Sequence, residues 1–225
     1  MPKTPTKELA TMEPAEFAGA ANVSRETLGR LKTYLALLTK WQKSRNLVGK
    51  ATLSDPWRRH FLDSAQLLLR VREVHRGQGG SVKADCVWMD LGSGAGFPGL
   101  VLAIMGAGEV HLVESNGKKA AFLRQVIRAT GARARVHPCR IEDLEAFPVD
   151  YILARALAPI ERILELGERF HEKGAEYWLL KGKSADEELT RAGKYWTVKS
   201  GFFPSLTDKS GAVLRLWECE RVKTP

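Results

Sequence analysis

Five short stretches hold residues whose types and spacing could do chemistry. The most telling is Asp90-Leu91-Gly92-Ser93-Gly94-Ala95-Gly96-Phe97-Pro98-Gly99, which follows the apolar run Cys86–Met89. An acid ends a strand, and glycines recur at every second position. Glycine accepts φ > 0 and lets backbone approach a ligand with no Cβ in the way. Pro98 suits the opening turn of a helix, where its missing N–H costs little. The unpaired N–H groups of such a turn favour an electron-rich or anionic group. About 20 residues further on stands Glu114, an acid placed to accept hydrogen bonds from both hydroxyls of a ribose, or simply to cap the next helix. Ile141-Glu142 offers an apolar side chain and a carboxylate that could hold a flat heterocycle, though Glu142 also suits a first helical turn. Arg155 could grip a carboxylate or phosphate. His60 and Asp63, three apart, share a helix face and read either as a base pair of side chains or as a local hydrogen bond that fixes packing.

Two cofactor chemistries compete for the glycine loop, beside the option of a tight turn with no ligand. Gly94-x-Gly96-x-x-Gly99 formally fits the dinucleotide pattern. Yet Gly94 does not come straight off the strand. Asp90 followed by Gly92-x-Gly94-x-Gly96 resembles motif I of the S-adenosylmethionine-dependent methyltransferases. On that reading Asp90, Gly92, Gly94, Gly96, Phe97, Glu114, Ile141, Glu142 and Arg155 bind the cofactor.

The elements that must position these residues alternate strand and helix from residue 86 onward, which argues for a parallel α/β sheet. Strands are expected at Cys86–Leu91, Glu109–Glu114, Arg133–His137, Tyr151–Ala154 and Glu176–Leu180. Helices follow the first, second and fourth, with Asn116 as a cap. Tyr195–Phe203 and Ala212–Cys219 read as an antiparallel pair at the edge. Carboxyl ends of parallel strands face one crevice, so the loop, Glu114, Ile141-Glu142 and Arg155 converge there. Upstream, Leu28, Leu31, Leu35, Leu38 and Trp41 recur at helical spacing behind the cap Ser24. Trp57, Phe61, Ala65, Leu68 and Leu69 mark a second helix after Asp55-Pro56. His75–Ser81 is a glycine-rich linker. The chain therefore divides into a flexible tail that becomes helical late (1–23), a helical subdomain (24–80) and an α/β domain (81–225).

Composition narrows the class. The chain has 225 residues, 44% hydrophobic and 27% charged, ordinary for one globular core. No apolar run approaches the roughly 20 residues that cross a bilayer. Nor does the N-terminus have the apolar stretch of a secretory signal, so a cytoplasmic protein is expected. Three widely spaced cysteines, Cys86, Cys139 and Cys219, read as reduced thiols, and nothing has metal-ligand spacing. The net charge of +9 suggests a polyanionic partner. Residues 1–85 carry 15 Lys and Arg against 8 Asp and Glu, so most of the excess precedes the loop.

The acceptor can be argued from what is missing. An amine methyltransferase usually carries Asn/Asp-Pro-Pro-aromatic after the fourth strand; this chain has Ala154-Arg155-Ala156-Leu157-Ala158-Pro159. A carbon-directed enzyme needs a cysteine nucleophile, and Cys139 follows strand three, on the cofactor side. No acid or base stands out; Arg155 is a positioning candidate. That suits an acceptor already nucleophilic, such as guanine N7, where the enzyme works by alignment.

Trp41…Asn46-Leu47, His60-Phe61-Leu62-Asp63-Ser64, Asp90–Gly99, Leu112-Val113-Glu114-Ser115, Arg140-Ile141-Glu142, Ala154-Arg155-Ala156 and Lys181-Gly182 together resemble the bacterial RsmG (GidB) family, over residues 28 to 218. The Gly-Phe-Pro-Gly extension and the His-x-x-Asp-Ser helix are the specific parts. Gln42 and Val48 depart from it, standing where Asn and Thr are common. The resemblance implies a Rossmann-like class I fold, S-adenosylmethionine with S-adenosylhomocysteine as product and no metal, and methylation of a guanosine N7 in the 530 loop of 16S ribosomal RNA, free or in the small subunit, by a monomer. It implies RNA contact through basic residues, with Arg45, Arg58, His60, Lys181 and Arg215 as candidates, and Trp41 or Phe97 could stack an extruded base. Another RNA or a small molecule as acceptor, and a non-catalytic RNA-binding protein, are the competing readings.

Overall fold

The computed structural model describes residues 10–222, without the side chains of residues 172 and 173. Its strands are β1 (Val87–Leu91), β2 (Glu109–Val113), β3 (Ala134–His137), β4 (Val149–Arg155), β5 (His171–Lys181), β6 (Trp196–Pro204) and β7 (Ala212–Arg221). They form one sheet in the order β3-β2-β1-β4-β5-β7-β6. The first five run parallel, and β7 lies antiparallel between β5 and the edge strand β6. The central strands β1, β2 and β4 are mostly buried and largely apolar because both of their faces are covered. Successive side chains alternate sides: Trp88, Tyr151, Leu153 and Trp178 enter one core, and Met89, Ile152, Ala154 and Leu179 the other.

The first core is shared with the N-terminal helices α1 (Pro14–Ala21), α2 (Arg25–Gln42) and α3 (Asp63–Gly77), and with α4 (Gly99–Ile104) and α5 (Gly117–Thr130). The second lies under α6 (Ile160–Gly167) and α7 (Ala185–Ala192). Ser24 caps α2 by accepting from the Thr27 N–H, and Asn116 caps α5 by accepting from Lys118 and Lys119. Gln42 ends α2 and shapes the next loop: its side-chain oxygen accepts from Leu47 and Val48, and its amide donates to the Val48 carbonyl.

Two expectations change. Residues 1–9 of the expected tail lie outside the described residues; its late helix stands at 14–21 but is packed and not loosely held, with Phe17 wholly buried against Trp57 and Phe61. Few apolar residues mark so short a helix, so its pattern is faint. Helix α7 was not expected either; its acidic first turn, Asp186-Glu187-Glu188, was the available signal. A further departure matters for the site. Trp57–Leu62, ahead of α3, winds as a π-helix, which carries His60.

Candidate active site

At the carboxyl ends of the parallel strands lies a cavity of about 390 Å³, within the range of small-molecule sites. Gly92, Gly94, Glu114, Ile141 and Glu142 line it, and Cys139 reaches it too. Gly92 and Gly94 take φ of +68° and +59°. A Cβ on Gly92 would come within 2.6 Å of Leu157, whereas on Gly94 it would meet open space. Glu114, 8% exposed, ties the loop down. Its Oε2 accepts from the Gly94 N–H at 2.8 Å and its Oε1 from the Asn116 N–H at 2.7 Å. Each carboxylate oxygen has a second lone pair, so the group keeps acceptor capacity for a diol. Ile141 opens a 3-10 turn after β3. The exposed Glu142 carboxylate accepts from Arg162 at 2.6 Å.

Four residues expected at the cofactor do not line this cavity. Asp90 is 1% exposed beneath the loop, where Oδ2 accepts from the Gly99 N–H at 3.0 Å and Oδ1 has no partner among the described residues. Burial pushes its carboxyl up to about 7. Gly96 takes φ +96° and is pressed against Tyr34, Leu100 and Leu123. Phe97 is stacked between Tyr34, at 5.2 Å, and His60, at 4.7 Å, so it has no free face for a base. Trp41 likewise packs on Phe122 and donates to Gln125. Arg155, the fourth, lines a neighbouring cavity.

That second cavity, about 520 Å³, shares Leu157 and Ala158 with the first. Arg155 donates through Nη1 to Asp63 Oδ2 at 2.9 Å and through Nη2 to His60 Nδ1 at 2.8 Å, with the Phe97 ring 5.6 Å below. His60 and Asp63 thus do not bond each other; together they hold Arg155. A guanidinium only donates, so Nδ1 accepts and the ring proton sits on Nε2, which donates to Thr52 Oγ1 at 2.7 Å. Both imidazole nitrogens are engaged, so His60 is no general base. Burial, then Arg155 and Arg59, push its pKa down to about 3.

A folded-state value below the unfolded one means that stability is lost as pH falls. The unfolded imidazole takes a proton below about 6.5, and the folded one does not until about 3. His60→Asn keeps an acceptor for Arg155 and is expected to flatten the loss of thermal stability between pH 7 and 5, relative to the parent. Equal slopes in the two proteins would show His60 to be protonated in the fold.

The remaining basic candidates are mostly paired. Lys181 donates to Glu188 and to the Ala158 carbonyl, both at 2.7 Å, and so braces the wall between the cavities. Arg58 is held by Asp55 and the Ala10 carbonyl. Arg215 leaves the crevice: it pairs with Glu176 toward the amino end of β5 and lies over Trp217. Arg45 is exposed and makes no ion pair among the described residues. Sequence reasoning missed Tyr34, whose hydroxyl donates to the Ala95 carbonyl and locks the glycine loop to α2. Its place between Leu31 and Leu38 on the apolar stripe was the signal.

The family described as GidB, rRNA small subunit methyltransferase G, matches residues 27–214. A Ribosomal RNA small subunit methyltransferase G from Rhodospirillum rubrum is 52% identical over 210 residues, covering 93% of this chain and all of that one. Its namesake from Rhodospirillum centenum is 54% identical over 203 residues, covering 90% and 89%. Among solved structures, a mutant MtNAS in complex with S-adenosylmethionine aligns with a TM-score of 0.55 at 16% identity, over 94% of this chain and 86% of that. P. horikoshii TYW2 in complex with MeSAdo aligns at 0.52 and 16%, over 69% and 63%. At such identities the likeness is one of fold.

Proposed function

The chain belongs to the rRNA small subunit methyltransferase G family, and we propose that it transfers a methyl group from S-adenosylmethionine to N7 of a guanosine in the 530 loop of 16S ribosomal RNA. The observation that carries this reading is the pair of cavities at the carboxyl ends of the parallel strands, with Leu157 and Ala158 in the wall of each. The first fits the methyl donor, with the open Gly94, the Glu114 carboxylate for the ribose and Ile141 for the adenine. The second opens beside it and takes the guanine.

S-adenosylmethionine supplies an electrophilic methyl group on a sulfonium, which leaves as the neutral thioether when the N7 lone pair attacks in line. No proton need leave the base first, which agrees with a site where His60 and Asp63 are both committed to Arg155. The chain's part is alignment. Glu114 holds the donor side to the loop, Lys181 fixes the wall, and Arg155 fixes α3 against β4. Such fixing matters because small misplacements of reacting atoms cost about 100-fold in rate. One chain contains both cavities, so we propose that it acts as a monomer, in the cytoplasm where the small subunit is assembled.

The test is transfer of labelled methyl to small subunits, or their RNA, from cells lacking such an enzyme, mapped by cleavage at N7-methylguanine. Label at one guanine of the 530 loop supports the reading. No transfer with cofactor binding intact turns it toward another RNA or a small molecule. Glu114→Gln is expected to weaken S-adenosylmethionine binding by about 10- to 100-fold in calorimetry, because the amide nitrogen must face the Gly94 or the Asn116 N–H. Unchanged affinity would remove Glu114 from the cofactor site.

A further inference from the structure

An enzyme that methylates N7 cannot read guanine through N7, because that lone pair is the one consumed. Adenine offers the same N7. Discrimination rests on O6, where adenine carries a donor instead, and on the far edge of the base, where guanine presents two donors, N1–H and N2–H, and adenine an acceptor at N1. The natural reader of two adjacent donors is an ionised carboxylate.

Three carboxylates line the second cavity: Asp63, Glu188 and Asp208. Asp63 is spent, with Oδ2 on Arg155 and Oδ1 on Thr207 and Gln66. Glu188 is spent on Lys181, Ser184 and the Ile160 N–H. Asp208 uses Oδ1 alone, accepting from the Ser210 N–H at 2.9 Å and its hydroxyl at 2.8 Å. Among the described residues nothing donates to its Oδ2. Hydrogen bonds from Ser210, with Arg59 and Lys183 nearby, hold its carboxyl below the usual range, so it is ionised.

Its place is also defined. Asp208 sits in the turn between β6 and β7, which α3 fastens through Asp63 to Thr207 and Gln66 to the Leu206 N–H. Asp63 thus links Arg155 to the turn that bears Asp208. The shared Leu157–Ala158 wall lies on the cofactor side of the cavity, and Asp208 comes from a separate element. N7 and the N1–N2 edge are different edges of guanine, so a base turned with N7 to that wall directs its donors toward another side of the cavity. Arg59 and Lys183, both exposed and outside any ion pair among the described residues, stand close enough to Asp208 to act on it and are free for the flanking phosphates.

Resting on the function proposed above, we propose that Asp208 is the specificity-determining residue, accepting from N1–H and N2–H of the target guanine. The test pairs Asp208→Asn with an RNA carrying inosine, which lacks the N2 amino group, at the target position. Asn keeps the oxygen for Ser210 and puts a donor in place of Oδ2. The parent enzyme is expected to prefer guanosine over inosine by about 10-fold or more in kcat/KM. The variant is expected to lose about 10- to 100-fold on guanosine, and its preference should fall to near one, with melting temperature and cofactor affinity unchanged. A variant that keeps the parental preference, or a parent that shows none, overturns the assignment. A parent that methylates no guanine N7 overturns instead the function on which it rests.

Discussion

Gly96→Ala is expected to unfold about 4–20 °C below the parent, while Gly94→Ala melts about 2–8 °C below it and binds S-adenosylmethionine about 100-fold more weakly. The two glycines are neighbours in one motif, and both have positive φ. What separates them is where a Cβ would go. At Gly96 it would lie 2.7 Å from the Tyr34 hydroxyl and 2.9 Å from both Leu100 and Leu123. Those three side chains come from α2, α4 and α5, all packed in the first core, so none can swing away freely. Overpacking costs about 1–3 kcal/mol or more, and left-handed backbone adds about 1–2. Against a total of about 5–15 kcal/mol, that is a large share. At about 2–4 °C per kcal/mol for a chain of this size, it gives the stated shift. At Gly94 only the backbone cost applies, since the nearest atom is the Gly92 carbonyl at 3.9 Å. The added methyl instead enters the cavity proposed for the cofactor. Thermal unfolding and calorimetry on both variants decide the matter. Loss of cofactor affinity in a Gly96→Ala protein of unchanged melting temperature would reverse the two roles.

That contrast shows what could be read from the chain and what could not. The sheet was legible because strands buried on both faces must be apolar throughout, and the breaks between them carry glycine, proline and caps. The loop's chemistry was legible because glycine after a strand-ending acid has few other uses. The division of labour within the loop was not. Every glycine permits φ > 0, and the residues that crowd Gly96 or leave Gly94 open come from distant elements. Asp90 shows the same limit. It marks the motif, yet the fold turns its carboxylate down onto the Gly99 N–H. Arg215 shows it for charge: Glu176, 39 residues away, neutralises it.

Arg155 is where distance in sequence matters most, and Arg155→Ala carries the second large expectation. Methyl transfer should fall at least about 100-fold while affinity for S-adenosylmethionine changes by less than about threefold. The guanidinium lines the second cavity, proposed for the acceptor, and not the first. Its partners His60 and Asp63 lie 95 and 92 residues earlier, on the helical stretch that walls that cavity. Without the fork, His60 Nδ1 loses its donor and Asp63 keeps Thr207 and Gln66 alone. Asp63 and Arg155 are each about a fifth exposed, so water replaces part of the loss, which leaves about 2 kcal/mol and a melting temperature about 4–8 °C lower. Arg155→Lys sharpens the test. A single ammonium can serve Asp63 or His60 but does not reproduce the planar fork that meets both. Part of the stability should therefore return with little of the turnover. A loss of cofactor affinity that matches the loss of transfer would put Arg155 in the donor site. Full activity in the lysine variant would show that charge, not the fork, holds α3 against β4.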